Sequence, residues 1–238
     1  MRAISALDMA HWDIMGQALK MPVYELLGGK VRDKIRVYNT CGVHGEVQDG
    51  RDIWRDPVRV AKSLLDEGIA GLKFSPTDFI ARESDGQALF VEDLDWALTP
   101  VRRIRDALGL EMDIANDAHA KWNLAQAVRI VHAFEQYRLM WHEELVPAFN
   151  EEAHRRLQAE TRTPIAAAER LMSRYQFRRF IETGAARIAM MDIAWTGGIS
   201  EAKKIAALAS AHQLPVTPHD CIGPVNMFAA AAVCMSQV

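Results

Sequence analysis

Three carboxylates recur at one interval, each closing a short apolar run: Asp117 in Ile114-Ala115-Asn116-Asp117, Glu143 in Trp141-His142-Glu143, and Glu169 in Ala166-Ala167-Ala168-Glu169, 26 residues apart in both steps. Asp192 in Met190-Met191-Asp192 and His219 in Val216-Thr217-Pro218-His219 continue the series, 27 residues from one another. That repeat length suits one strand, one helix and two short loops, the βαβ unit. The carboxyl ends of successive parallel strands open on one face when the sheet closes into a barrel, so polar groups placed there meet. The spacing therefore predicts an α/β protein with a parallel sheet, a TIM-type (β/α) barrel, carrying a metal-dependent site.

The chain has 238 residues, slightly short for a barrel of about 250, with half its residues apolar, a quarter charged and a net charge of −3. Basic residues are scattered along helical stretches and form no aromatic-interleaved cluster, so no nucleic-acid partner is expected. No apolar run reaches the roughly 18 residues of a membrane span, and Asp8 and Asp13 interrupt any signal-like start. Cys41, Cys221 and Cys234 form no C-x-x-C pair and leave an odd count, which favours a reducing compartment and a cytoplasmic location.

Read in order, residues 3–19 place apolar side chains at helical intervals, and Pro22 restarts a short helix ended by Gly28-Gly29. Residues 1–32 are thus linker helices leading into a barrel domain at 33–238. Strands are predicted at 34–39, 71–74, 112–116, 139–142, 164–168, 187–191 and 214–217. Asp56 before Pro57, Asn123, Asn150 and Ser200 read as N-caps, and Thr99-Pro100 as another helix start. Residues 75–93 read as a long irregular loop, the kind that forms lids or binding loops. With about seven strands the barrel is expected to be incomplete.

Asp117, Glu143 and Glu169 are hard oxygen donors, a set that favours Mg2+ over zinc. A single such acid is more often a solvated or capping carboxylate; equal spacing after apolar strands reverses that preference. His142-Glu143-Glu144-Leu145-Val146 lacks the second histidine of a zinc-protease helix. Asp192 and His219 end adjacent strands, and a carboxylate beside an imidazole makes a general base. His119, two residues after Asp117, is expected on the same side of its strand and facing the substrate. The remaining histidines, His142 and His154 among them, read as surface groups.

The segments ALDMAHWDIMGQALKMPVYELLGG, AAAERL, MMDIAWTGGI and TPHD, together with the acidic ladder, resemble the enolase superfamily in its mandelate racemase subgroup. The resemblance implies that Asp117, Glu143 and Glu169 hold Mg2+, which stabilises the enediolate formed when His219, paired with Asp192, removes an α-proton. Racemases of the subgroup place a second base as K-x-K at the end of strand two, where this chain has Lys73-Phe74-Ser75. Asp117-Ala118-His119 instead resembles the acid-sugar dehydratases of the galactonate dehydratase type, in which this histidine protonates the departing 3-hydroxyl to give a 2-keto-3-deoxy acid. Lys73 either contacts the substrate carboxylate or is a plain strand-end lysine. The resemblance also implies an amino-terminal capping domain and an eighth strand that this stretch is expected to lack, with activity weak or absent as a result. A sugar acid is the expected small-molecule partner, and a homo-oligomer is compatible with the family. Two alternatives stand beside the dehydratase: a non-catalytic fragment that needs a partner chain, and a racemase, epimerase or cycloisomerase of the same superfamily.

Overall fold

A computed structural model describes residues 1–237. In chain order the elements are α1 (Arg2–Leu19), α2 (Val23–Leu26), β1 (Asn39–Thr40), α3 (Asp49–Arg55), α4 (Pro57–Asp66), β2 (Gly71–Phe74), α5 (Asp78–Ser84), α6 (Val91–Leu108), β3 (Asp113–Asp117), α7 (Leu124–Phe134), β4 (Trp141–Glu143), α8 (Glu151–Ala159), β5 (Ile165–Ala167), α9 (Ser173–Glu182), β6 (Ile188–Asp192), α10 (Ile193–Thr196), α11 (Gly198–Ala211), β7 (Val216–His219) and α12 (Pro224–Ser236). This is the strand-then-helix alternation of the (β/α) barrel class, with seven strands among the described residues. No helix among them is long and apolar enough to cross a membrane.

Two compact units divide the chain, one of residues 37–165 and one of residues 1–36 with 166–238. In the first, β1, β2, β3 and β4 lie side by side in sequence order, all parallel. All four residues of β2 are buried, as are the last four of β3, as parallel strands covered on both faces require. Ile104 of α6 and Ile130, Val131 and Phe134 of α7 fill the layer outside them. In the second unit β5, β6 and β7 are likewise parallel, and the buried Phe177 and Phe180 of α9 and Ile199 and Ile205 of α11 supply the apolar layer.

The N-cap assignments at three helices hold. Asp56 accepts from the Arg59 N–H, Asn123 from Gln126 and Asn150 from Ala153. Four expectations are corrected. The first strand pairs only at Asn39 and Thr40 rather than along 34–39; apolar alternation marks a burial period and does not by itself supply a ladder partner. Residues 75–93 contain α5 and the start of α6, so they are not an irregular loop. Pro100 lies inside α6, not at its start. Its ring removes one hydrogen bond, yet Ala97, Leu98, Val101 and Ile104 continue a buried stripe through it, and that packing outweighs a cost of about 3 kcal/mol. Ser200 does not cap α11, which begins earlier, at Gly198.

The cap of α11 comes instead from α1, and this explains ALDMAHWD. Asp8 accepts from the Ser200 N–H at 3.0 Å, Ser5 Oγ from the Gly197 N–H at 3.0 Å, and Trp12 Nε1 donates to Ser200 Oγ at 2.8 Å. Gly198 has φ +82, and a Cβ there would lie 2.3 Å from Asp8 Oδ2, so only glycine admits the carboxylate. The i, i+3 and i+7 spacing of Ser5, Asp8 and Trp12 puts all three on one face of α1. Replacing Asp8→Ala should lower stability by about 1–2 kcal/mol, read by denaturant unfolding, because N–H groups at a helix start lose their acceptor; an unchanged midpoint would refute this role.

Candidate functional site

In the 37–165 unit, strand register brings three charged groups together. Asp117 pairs with Glu143 across β3 and β4, and Lys73 of β2 lies opposite Ala115, on the same face as Asp117 by the two-residue alternation. Lys73 Nζ donates to Asp117 Oδ2 at 2.9 Å and to Glu143 Oε1, while Trp141 Nε1 donates to Glu143 Oε2 at 2.9 Å. Lys73, Asp117 and Glu143 are 3%, 3% and 0% exposed, so these charges face one another instead of water. Burial opposes the charge on Lys73, but Glu143 and Asp117 outweigh it and hold the ammonium well above its ordinary range. For Asp117, too, burial favours the neutral form, and Lys73 and His119 override it to lower its pKa. Burial, then the charge of Asp117, pushes Glu143 up from 4.5 to about 7.

Asp117 and Glu143 form a buried carboxylate pair that holds a cation, the Lys73 ammonium. The donor atoms of the two acids are carboxylate oxygens only, which suits a hard cation such as Mg2+. The residues present therefore fit the ion that the sequence implied.

His119 lies beyond β3, in a left-handed turn with φ 48 at His119 and 59 at Ala120, so it is not strand alternation that directs it. Its backbone N–H donates to Asp117 Oδ1 at 3.1 Å, its Nε2 lies 3.6 Å from Asp117 Oδ2, and its Nδ1 lies 2.9 Å from Asp78 Oδ2. The hydrogen bond to Asp78 raises the His119 pKa most; burial opposes it and Asp117 adds to it. Asp78 was not singled out in the sequence. The signal was Thr77-Asp78 ahead of Phe79-Ile80, an acidic first turn before an apolar pair.

In the other unit, Asp192 pairs in register with His219, and His219 Nδ1 meets Asp192 Oδ2 at 2.9 Å. Asp192 Oδ1 accepts from the Ala194 N–H at 2.8 Å and from Asn226 Nδ2 at 3.3 Å, which fixes the carboxylate plane. Asn226 also donates to Asp220 Oδ1 at 3.0 Å; nothing in its helical context marks it in the sequence. His219 Nε2 lies 3.4 Å from Glu169 Oε2, and the Trp195 ring centre lies 5.3 Å from that of the imidazole. Glu169 follows Ala168, whose φ of 97 is strained for a residue with a Cβ. Asp117, Glu143, His119 and Lys73 thus gather within one unit, and Glu169, Asp192 and His219 within the other.

Two histidines read as surface groups are buried. His142 occupies the opposite face of β4 from Glu143, with Nδ1 at 3.1 Å from Asn116 Nδ2 and its ring edge-on to Phe134, and burial lowers its pKa to about 3. His154 is buried in α8, and burial lowers its pKa to about 4. Both are neutral core groups. Burial and the neighbouring acids, Asp192 first, raise the Cys221 thiol, in keeping with an unreactive cysteine.

The raised Glu143 sets a pH dependence. Between pH 4.5 and about 7 the folded protein keeps a proton that the unfolded chain has released, so metal-free stability should fall as pH rises through that window. Denaturant unfolding across it should show the decline in the wild-type chain and a flatter profile in Glu143→Gln; a wild-type profile flat over the same range would contradict the assignment.

Residues 56–237 match the family described as Enolase C-terminal domain-like, and residues 1–28 match the mandelate racemase / muconate lactonizing enzyme N-terminal domain. D-galactonate dehydratase of Variovorax paradoxus is 38% identical over 98% of this chain and 58% of its own length. The enzyme of that name from Ralstonia nicotianae is 36% identical over 96% of the chain and 56% of its own. The chain thus spans a little over half the length of these relatives. Among solved structures, an enolase of the mandelate racemase subgroup from Agrobacterium tumefaciens matches with a TM-score of 0.91 at 40% identity, covering 99% of this chain and 61% of that one. A mandelate racemase/muconate lactonizing enzyme from a Jannaschia species matches with a TM-score of 0.89 at 34% identity, over 99% and 61%. The buried acid pair and the histidine–aspartate pair accordingly belong to a member of the enolase superfamily, in its mandelate racemase branch.

Proposed function

We propose that this chain carries the catalytic groups of a Mg2+-dependent dehydratase acting on a sugar acid. The observation that carries the reading is the presence of two imidazoles, each with its Nδ1 at 2.9 Å from a carboxylate. Dehydration needs a proton taken from one carbon and another given to a leaving hydroxyl. A two-base racemase needs a second lysine where this chain has Ser75.

In this reading Asp117, Glu143 and Glu169 hold the ion. When bound, Mg2+ supplies positive charge that stabilises the negative charge building on the substrate carboxylate. His219 Nε2 takes the α-proton, with Nδ1 held by Asp192; the C–H electrons pass into the carboxylate to give an enediolate. Those electrons then return to form the C2–C3 double bond, the C3–O bond breaks, and His119 delivers a proton from Nε2 so that water leaves. The enol that remains tautomerises to the 2-keto-3-deoxy acid. Lys73, lying between the acids, balances their charge and stands near the substrate carboxylate.

Incubation with a panel of aldonates and Mg2+ should give a semicarbazide-reactive 2-keto acid, at best slowly from these 238 residues alone and faster once a capping domain and an eighth strand are supplied by fusion. His219→Asn should lose about 10²–10⁴-fold in rate. His119→Asn should lose water release while the α-proton still exchanges with solvent deuterium. Keto-acid formation untouched in His119→Asn, or deuterium exchange without any keto acid in the wild-type chain, would refute the proposal, the latter in favour of an epimerase. Mg2+ should also raise the melting temperature, and Glu169→Gln should abolish that rise.

A further inference from the structure

We infer that Asp78 is the positioning residue for His119, so that the chain holds a second histidine–aspartate pair matching that of His219 and Asp192. The inference rests on the reading of His119 as the group that gives up a proton. In both pairs Nδ1 lies 2.9 Å from a carboxylate Oδ2, which leaves Nε2 as the nitrogen that exchanges its proton; the other group near His119 Nδ1 is Ser75 Oγ, farther off at 3.5 Å. In the pair of His219 and Asp192 strand register sets that approach. Residues 118–122 lie beyond β3 but stay tied to the end of β4, the N–H groups of Ala118 and Trp122 donating to Glu143 O at 3.0 Å and Leu145 O at 3.1 Å, and that of Ala120 to Glu144 O; these bonds hold the backbone and leave the His119 ring to be set from another side.

Helix α5 supplies that side: its two ends meet the 118–123 segment, and its first turn is anchored on α3 and α6. Trp122 Nε1 donates to Thr77 Oγ1 at 3.1 Å in a buried bond next to Asp78. At the far end of α5, Gly86 lies against the backbone of Lys121, where an added Cβ would be 1.8 Å from the Lys121 carbonyl oxygen, and the Asn123 N–H donates to Gly86 O at 3.2 Å. Phe79, the residue after Asp78, packs edge-on against the stacked rings of Trp54 and Trp96, with centroids at 6.0 and 4.6 Å. The helix is thus clamped to the segment that carries His119.

Asp78 itself is placed to receive. Its side chain is 16% exposed, and Oδ2 takes both the His119 ring and the Lys121 ammonium. Oδ1 is buried with no hydrogen-bond partner among the described residues. A carboxylate held only for stability would be expected to use both oxygens; here both donors converge on the one that faces the imidazole. An Nδ1–H held by this oxygen fixes the ring plane and its tautomer.

The test is the tautomer of His119, read without substrate by two-bond 15N–1H correlation of the imidazole at a pH where the ring is neutral, with the signal assigned by its loss in His119→Asn. The wild-type chain should show the proton on Nδ1. Asp78→Ala should lose that form in favour of Nε2–H, while Lys121→Met should keep it. A wild-type ring protonated on Nε2, or a tautomer unchanged in folded Asp78→Ala, would overturn the inference. Should Asp78→Ala fail to fold, the wild-type spectrum decides alone. Because no turnover is involved, an Nδ1–H ring in a chain that dehydrates nothing even when a capping domain and an eighth strand are supplied would sink the dehydratase reading and leave this pair standing. Dehydration by a chain whose His119 carries Nε2–H would do the reverse.

Discussion

Two carboxylates side by side out of water are tolerated only if something positive lies between them. Asp117 and Glu143 are brought opposite each other by the β3–β4 register, and the Lys73 ammonium completes the group. Breaking a buried charge cluster by deleting one partner commonly costs 3–5 kcal/mol, whereas an apolar replacement of the whole is often neutral. Such a cluster is therefore poor value as a fold stabiliser, and its presence on the most buried strands points to a use for the negative charge. Glu143, pushed up first by burial and then by the charge of Asp117, shows the tension, which Lys73 only partly relieves. A divalent cation would relieve the rest.

The parallel ladder turns sequence spacing into neighbours. A repeat of 26 or 27 residues carries the chain through a helix and back to the same height on the next strand, so the register pairs are Asp117 with Glu143 and Asp192 with His219. Beyond the ends of β3, β4 and β5 the backbone turns into the left-handed region, at His119 and Ala120, at Glu144 and at Ala168. Strain of order 1–3 kcal/mol per residue persists only where surrounding structure fixes it. Here it re-aims the chain after Asp117 and Glu143 and just before Glu169, where His119 lies beside Asp78 and Glu169 beside His219.

Much of this was legible in the sequence because periodicity and capping are local. The strands at 71–74 and 113–117 and the caps Asp56, Asn123 and Asn150 follow from apolar runs and from side chains three residues from their partners. What was not legible depends on distant chain. Ser200 looks like a cap, but Asp8 performs that task from 192 residues away. His142 looks like a surface histidine until β4 is seen to bury both faces. Pro100 looks like a helix start until the buried stripe of α6 runs through it. Asp78 is one acid among many until α5 brings it to His119. The acidic ladder could be found because each member sits at a strand end; the supporting groups Asp78 and Asn226 sit on helices, where no interval announces them.

The account turns on the acid pair being a site for a hard divalent cation. Titration of the chain with Mn2+, followed by the loss of the free-ion electron paramagnetic resonance signal, measures that directly. It should show one tight ion per chain, displaced by Mg2+ and lost in Asp117→Asn. Binding that is absent in the wild-type chain, or that survives in Asp117→Asn, would contradict the account.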